Sequence, residues 1–153
     1  MVGSYMDRNG IIDAIVTLLR ASAKTNVAAV ANNNIQYGEK DPRQTNVVIA
    51  DKEVWVGPLF DDVTPATLSK EQHSFQVSIV VFVKGKYGLT DKRTAVSIAE
   101  DCEQILLENR DLPSPGGVIR GPIQWDLVSF FGEEFSGNFA ALQFPVDKMT
   151  TVF

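Results

Sequence analysis

Apolar residues recur at three- and four-residue spacing in two parts of the chain, and this spacing predicts two amphipathic helices. The first helix is expected over residues 7–24, and the second after a cap at Thr90 or Asp91. The segment NRDLPSPGG should end the second helix, because its prolines and its Gly-Gly pair cannot continue a helix. The positions expected to face the core are Ile11, Ile12, Ile15, Leu18, Leu19 and Ala23 in the first helix, and Ala95, Ile98, Ala99, Cys102, Ile105 and Leu106 in the second.

Stretches rich in apolar, β-branched and aromatic residues predict strands at residues 45–50, 53–56, 74–84, 123–131 and 138–146. Asp51 and Lys52 are expected to form a tight hairpin turn between the first two strands, and GEEFSG the turn between the last two. Strands joined by short turns are antiparallel. The sequence therefore predicts a single α+β domain over residues 1–153, with a mainly antiparallel sheet and two amphipathic helices packed on one face.

The strand at residues 74–84 is apolar on both faces at its C-terminal end. Alternation places Phe75, Val77, Ile79, Val81 and Val83 on one face, which is expected to belong to the core. The other face begins polar and becomes apolar at Val80 and Phe82. A half-exposed antiparallel strand has no reason for this change, so these two side chains are expected to be covered.

Two connections are longer than the usual loop of about 4 to 6 residues. Residues 31–44 are polar apart from Ile35 and Tyr37, whereas residues 57–72 include several apolar side chains. Both are interpreted as loops that become ordered on a partner. For the first loop the alternative is a solvated hairpin tip, and for the second it is packing over the domain's own sheet. The residues singled out as candidates for partner contact are Asn33, Ile35, Tyr37, Arg43, Leu59 and Phe60.

Composition narrows the functional class. The chain has 153 residues, one cysteine, one histidine and a net charge of −5. These numbers argue against a disulfide framework, the usual zinc sites and binding to nucleic acid through clustered basic residues. No apolar run approaches the roughly 18 residues of a membrane span. We therefore expect a soluble, unsecreted protein that binds no membrane and works in a reducing compartment.

Residues that could carry chemistry lack partners at a recognisable spacing. His73 could act as a general base, but it is interpreted as a surface histidine. Cys102 lies on an apolar helical stripe, where cysteine usually packs as a small core residue. The adjacent carboxylates Asp61–Asp62 and Glu133–Glu134 are interpreted as solvated turns. No catalytic residue, cofactor site or metal site is predicted.

The order of elements resembles that of the tail terminator, or tail completion, proteins of tailed bacteriophages. The resemblance lies in an N-terminal amphipathic helix, a hairpin with a long polar insertion, the strand HSFQVSIVVFVKG and the helix AVSIAEDCEQILLENRDLP. It continues into a closing hairpin, IQWDLVSFFGEEFSGNFAALQFPV, with Trp125 before its turn. Related neck and head-completion proteins share parts of this pattern.

The resemblance implies a non-enzymatic virion subunit that forms a ring, typically a hexamer, on the end of the tail tube. Such a ring stops tube polymerisation, joins a head-tail connector or neck protein, and lets DNA pass through its lumen without sequence-specific binding. It also implies that a neighbouring subunit covers Val80 and Phe82. The alternatives are another neck, head-completion or tube protein of a phage, and a small ligand-binding domain or enzyme.

Overall fold

The computed structural model describes residues 5–40, 48–85, 89–131 and 136–151. Helices α1, α2 and α3 lie on one side of a mixed sheet of strands β1 to β6. A short 3₁₀ turn, Asn32–Asn34, precedes β1. The bounds are α1 Arg8–Ala21, α2 Thr25–Ala28, β1 Ile35–Tyr37, β2 Lys52–Thr67, β3 Lys70–Lys84, α3 Leu89–Glu108, β4 Val118–Ile119, β5 Gln124–Phe131 and β6 Ser136–Thr151.

Helix α1 confirms the first predicted helix, apart from its C-terminal end. The Asp7 carboxylate accepts a hydrogen bond from the Gly10 backbone N–H at 2.9 Å, which satisfies one free donor of the first turn. The helix ends at Ala21, before the predicted limit, and the chain then forms the short helix α2. The Asp101 carboxylate accepts hydrogen bonds from the Asn26 and Val27 backbone N–H groups and so ties α2 to α3.

Helix α3 confirms the second predicted helix. Its predicted apolar stripe is buried at every position against the sheet. It begins at Leu89, one residue before the earlier of the two predicted caps, and ends at Glu108. The Asn109 side chain donates to the Ile105 carbonyl oxygen at 2.8 Å and satisfies one of the carbonyl groups that the helix end leaves free.

The sheet confirms the predicted α+β class. Within the described residues six strands form one sheet in the order β1-β2-β3-β6-β4, and β5 also pairs with β6. The pairing is antiparallel except between β1 and β2, which are parallel. On β3, Phe75, Val77 and Ile79 point toward the helices and join the core. We call this side the helix face and the other side the open face.

The predicted hairpin around Asp51 and Lys52 is wrong in the part that the structure describes. Residues 48–50 form no strand, and Lys52 already belongs to β2, where it lies opposite Val83 of β3. Residues 45–47 of the predicted strand lie outside the described residues. The Ala50 backbone N–H donates to the Glu53 carboxylate, so its hydrogen-bond partner is a side chain and not a neighbouring strand.

The predicted loop at residues 57–72 is also wrong, because it is a β-hairpin. Strands β2 and β3 continue through it and turn at Leu68 and Ser69, and β6 accompanies β3 to its first residue. We call this extension the arm; it comprises residues 58–67 of β2, the turn at residues 68–69, residues 70–77 of β3 and residues 144–151 of β6. Glu133 and Glu134, in the predicted turn after β5, lie outside the described residues.

None of the helices in the described part of the chain is long and apolar enough to cross a membrane.

Candidate functional site

The open face at Phe82 is covered by the chain itself. The Phe82 side chain is fully buried in the single subunit. Its ring stacks on Trp55, with centroids 5.8 Å apart and planes 8° apart, and lies 5.1 Å from the Phe139 ring. A Cβ atom added at Gly137 would overlap the Phe82 ring, so the close contact depends on that glycine. The expectation that a neighbouring subunit covers Phe82 is therefore wrong, whereas Val80 remains only half-buried.

A buried carboxylate beside this aromatic cluster organises the chain around β1. Glu53 is 1% exposed and accepts a hydrogen bond from Trp55 Nε1 at 2.8 Å. Lys40 Nζ lies 2.8 Å from Glu53 Oε1, and the Ala50 backbone N–H donates to the other oxygen. Partners on both oxygens compensate the cost of burying the charge. Glu53 thereby holds both chain segments that flank residues 41–47.

The partner loop predicted at residues 31–44 is wrong for the part that is described. Ile35 is buried in β1 and lies opposite Val54. Tyr37 is 42% exposed, and its hydroxyl donates to Asn9 Oδ1 at 2.7 Å. Asn33 lies exposed in the 3₁₀ turn, and Arg43 falls outside the described residues. This segment is an edge of the sheet rather than a free loop.

The arm exposes apolar side chains on both of its faces. Leu68 at the turn is completely exposed, and Phe60 is 57% exposed. Val63 lies opposite His73, on the helix face, while Phe60 lies opposite Gln76, on the open face. A backbone irregularity between Pro58 and Phe60 shifts the register at Leu59. The large exposed apolar side chains of the arm are Leu59, Phe60, Val63, Leu68 and Met149.

His73 lies within the arm and is not a surface residue, contrary to the interpretation of the sequence. It is 5% exposed, with Nδ1 2.8 Å from Asp61 Oδ2 and Nε2 3.1 Å from Thr150 Oγ1. Arg8 Nε and one terminal guanidinium nitrogen donate to the same Asp61 oxygen at 2.9 and 2.6 Å. The four side chains come from α1, β2, β3 and β6, so their hydrogen bonds join the arm to the helical layer.

The order carboxylate, imidazole, hydroxyl is also the order of a hydrolytic triad. In this chain Thr150 is only 5% exposed, so its hydroxyl is not presented to a substrate. No simple sequence signal predicts the arrangement, since Asp61 and His73 are twelve residues apart. Knowledge of the hairpin register, in which Val63 lies opposite His73, would have placed both side chains on the helix face.

The described residues offer little for other chemistry. Burial, with a smaller contribution from the Asp101 carboxylate, raises the pKa of the Cys102 thiol to about 12, which confirms its interpretation as a core residue. Within the described ranges no group of three or more His, Cys, Asp or Glu side chains could hold a metal ion. An open cavity of about 470 Å³ lies between the C-terminal ends of α1 and α3, with the Lys24–Glu108 ion pair at its wall.

Comparison with known proteins shows a structural likeness but no match in sequence. No family model and no curated protein matches the chain. The chain is similar to a chain of a solved structure described as "Virion of native gene transfer agent (GTA) particle". The two are 17% identical with a TM-score of 0.45, over 95% of this chain and 100% of the other. At this identity and TM-score the likeness does not identify a function.

Proposed function

We propose that the protein is a structural subunit of a phage-type virion that acts as a tail terminator. Subunits form a ring, hexameric in this proposal, on the end of the tail tube. The ring ends tube polymerisation and provides the surface that a connector or neck protein joins. The order of elements in the sequence supports this function, and the structural observation that carries it is the exposed apolar surface of the arm.

In an isolated subunit the arm leaves large apolar side chains exposed to water, which is unfavourable. Large apolar residues grouped on one extension are typical of a surface that binds another protein, whereas single exposed ones need no explanation. Leu68 alone is completely exposed. Burying five such side chains, most of them half-exposed, would stabilise an assembly by on the order of 5 kcal/mol before the entropy cost of association. The arm is therefore well suited to a contact that forms only on assembly.

A closed ring requires two different complementary surfaces on each subunit. The arm supplies one of them in this proposal, and half-buried Val80 remains a candidate for an interface position. The net charge of −5 disfavours sticking of DNA that passes through the lumen. The proposed location is the virion tail or neck, after assembly in the cytoplasm of the bacterial host.

The proposal assigns no catalytic role. The hydrogen-bond chain through Asp61, His73 and Thr150 is the observation that favours an enzyme, but its hydroxyl is buried. A hydrolase would require that hydroxyl to reach a substrate. The same chain is explained by its position, since it ties the arm to α1 through Arg8. Another neck or tube protein of a phage remains the alternative among structural proteins.

The test is the oligomeric state of the purified protein, alone and mixed with tail tubes. Light scattering gives the mass and negative-stain images show the ring. We expect rings from the natural chain, and loss of rings from the double variant Phe60→Ser and Leu68→Ser. Leu107→Ser is the matched control, because Leu107 is 42% exposed on α3, away from the arm.

Tail length measures the function itself. Particles assembled with the double arm variant should have overlong tails or tails without heads, whereas particles with the Leu107 variant should be normal. A natural chain that stays monomeric both alone and with tubes would contradict the proposal, as would normal tails from the arm variant.

A further inference from the structure

The sheet formed by the described residues has two open edges. Strand β1 pairs only with Val54, Trp55 and Val56 of β2, so within the described part of the chain no strand covers the outer edge of β2 along the arm. At the other side of the sheet, β6 is the only described strand with which β5 pairs. Edges of this kind carry unpaired backbone N–H and C=O groups and are templates for pairing with another chain.

Both open edges also expose apolar side chains, and they do so on both faces of the sheet. On β5, Leu127 is 47% exposed and lies opposite Ala140, on the helix face, while Val128 is 49% exposed on the open face. On the arm, Val63 is exposed on the helix face and Phe60 on the open face. If the two edges lay side by side, apolar residues would meet on each face of a continuous sheet.

The strand directions make such pairing possible between copies in one orientation. Each of β2, β3, β6 and β5 is antiparallel to the next, so β2 and β5 of one subunit run in opposite directions. A second copy that keeps the orientation of the first, apart from a ring rotation, therefore presents its β2 antiparallel to β5 of its neighbour. We propose that the arm edge of β2 in one subunit pairs with residues 124–128 of β5 in the next copy of this chain. This inference rests on the ring of the proposed function and names the surfaces that close it.

The β2 and β5 edges of one subunit cannot pair with each other. Within one subunit β3 and β6 lie between β2 and β5, and three strand spacings amount to about 14 Å. The contact is also heterologous, with different surfaces on its two sides, as a ring requires. An isologous contact, in which the β2 edges of two copies pair with each other, would instead give a closed dimer.

The length of the contact is limited by the sequence of β2. Pro58 and Pro65 lack a backbone N–H, and irregularities follow both of them. The window between them, residues 59–64, spans about 20 Å and is comparable to the five residues of β5. The large exposed apolar side chains within this window are Leu59, Phe60 and Val63.

The test is disulfide formation in assembled rings of the full chain. Thr64→Cys is combined in turn with a cysteine at Gln124, Asp126 or Val128, all of which lie on the open face. The set is then repeated with Asp62→Cys in place of Thr64→Cys. The natural Cys102 does not interfere, because it is buried and its thiol is protonated. Single-cysteine variants are the controls for contacts between like positions.

We expect intermolecular disulfides whose best β5 partner depends on the arm position. In antiparallel pairing, a move from Thr64 to Asp62 shifts the best partner by two residues toward the C-terminus of β5. A shift toward the N-terminus, or intact rings without any of these disulfides, would overturn the inference and leave the ring itself standing. A natural chain that forms no ring would instead refute the proposed function, and this inference with it.

Discussion

Replacing Phe82 with alanine tests whether the open face is closed within one subunit. Phe82 is fully buried, stacked on Trp55 and in contact with Phe139. Truncation of a buried phenylalanine to alanine costs about 3–5 kcal/mol, because apolar contact is lost and a cavity remains. Loss of two aromatic contacts places the expected value toward the upper end of that range. This is a large fraction of the roughly 5–15 kcal/mol that stabilises an ordinary domain.

The measurement is urea denaturation at a protein concentration where the chain is monomeric, followed by tryptophan fluorescence and circular dichroism. The free energy of unfolding should fall by about 3–5 kcal/mol without a large change in the dependence on urea. Val128→Ala is the matched control, since Val128 lies opposite Phe139 on the same face but is 49% exposed. Its effect should stay below about 1 kcal/mol.

One pair of results would refute this reasoning. If the monomer lost less than about 1 kcal/mol through Phe82→Ala while ring formation failed, the Phe82 ring would be covered mainly by another subunit. The packing of Trp55, Phe82 and Phe139 would then not be the packing of the free chain.

Three further predictions concern buried polar or reactive groups. His73→Ala should lower the free energy of unfolding by about 2–3 kcal/mol, because it removes a hydrogen-bond partner of the Asp61 carboxylate. Gln72→Ala is the control and should change the free energy of unfolding little. Hydrogen exchange should show faster opening of the arm in the His73 variant only. Glu53→Ala should cost about 1–3 kcal/mol in urea denaturation, since it leaves the buried Trp55 Nε1–H without an acceptor and removes the ionic partner of Lys40, and exposed Glu39→Ala should have no comparable effect. Cys102 should resist alkylation by iodoacetamide at pH 9 in the native protein and react after denaturation, and rapid native-state labelling would contradict its burial.

The sequence predicted those elements whose periodicity is set by burial on one side. Both long helices have apolar residues at three- and four-residue spacing, and every predicted core position of α3 is buried. In α1 the predicted positions Ile11, Ile12, Ile15 and Leu19 are buried, Leu18 is half-buried, and Ala23 lies exposed beyond the end of the helix. The core face of β3 follows for the same reason, since its alternate residues meet the helices. In such elements the spacing of apolar residues along the sequence shows directly which side packs against the rest of the protein.

The arm was missed because neither of its faces is a continuous core face. Exposed apolar and polar residues mix on residues 58–67 of β2, and two register irregularities break the alternation. Pro58 and Pro65 add signals that favour a loop. This strand is held by backbone hydrogen bonds to β3. The sequence alone does not show which residues form those bonds. The same reason explains β1, which is ordered by its parallel pairing with β2 although its neighbours are polar.

The hydrogen bonds of Asp61 and His73 connect the structure of the arm to the proposed function. An arm that closes a ring loses less entropy on association if its orientation is fixed beforehand. Backbone pairing alone fixes the arm to the sheet but not to the helical layer. The bonds from Arg8 to Asp61 and from Asp61 to His73 supply that second attachment. Asp61 Oδ1 is buried without a described partner, so the attachment carries a desolvation cost. Retention of a charged group at that cost is reasonable where geometry matters more than stability, as it would for an arm that met the next subunit of the proposed ring.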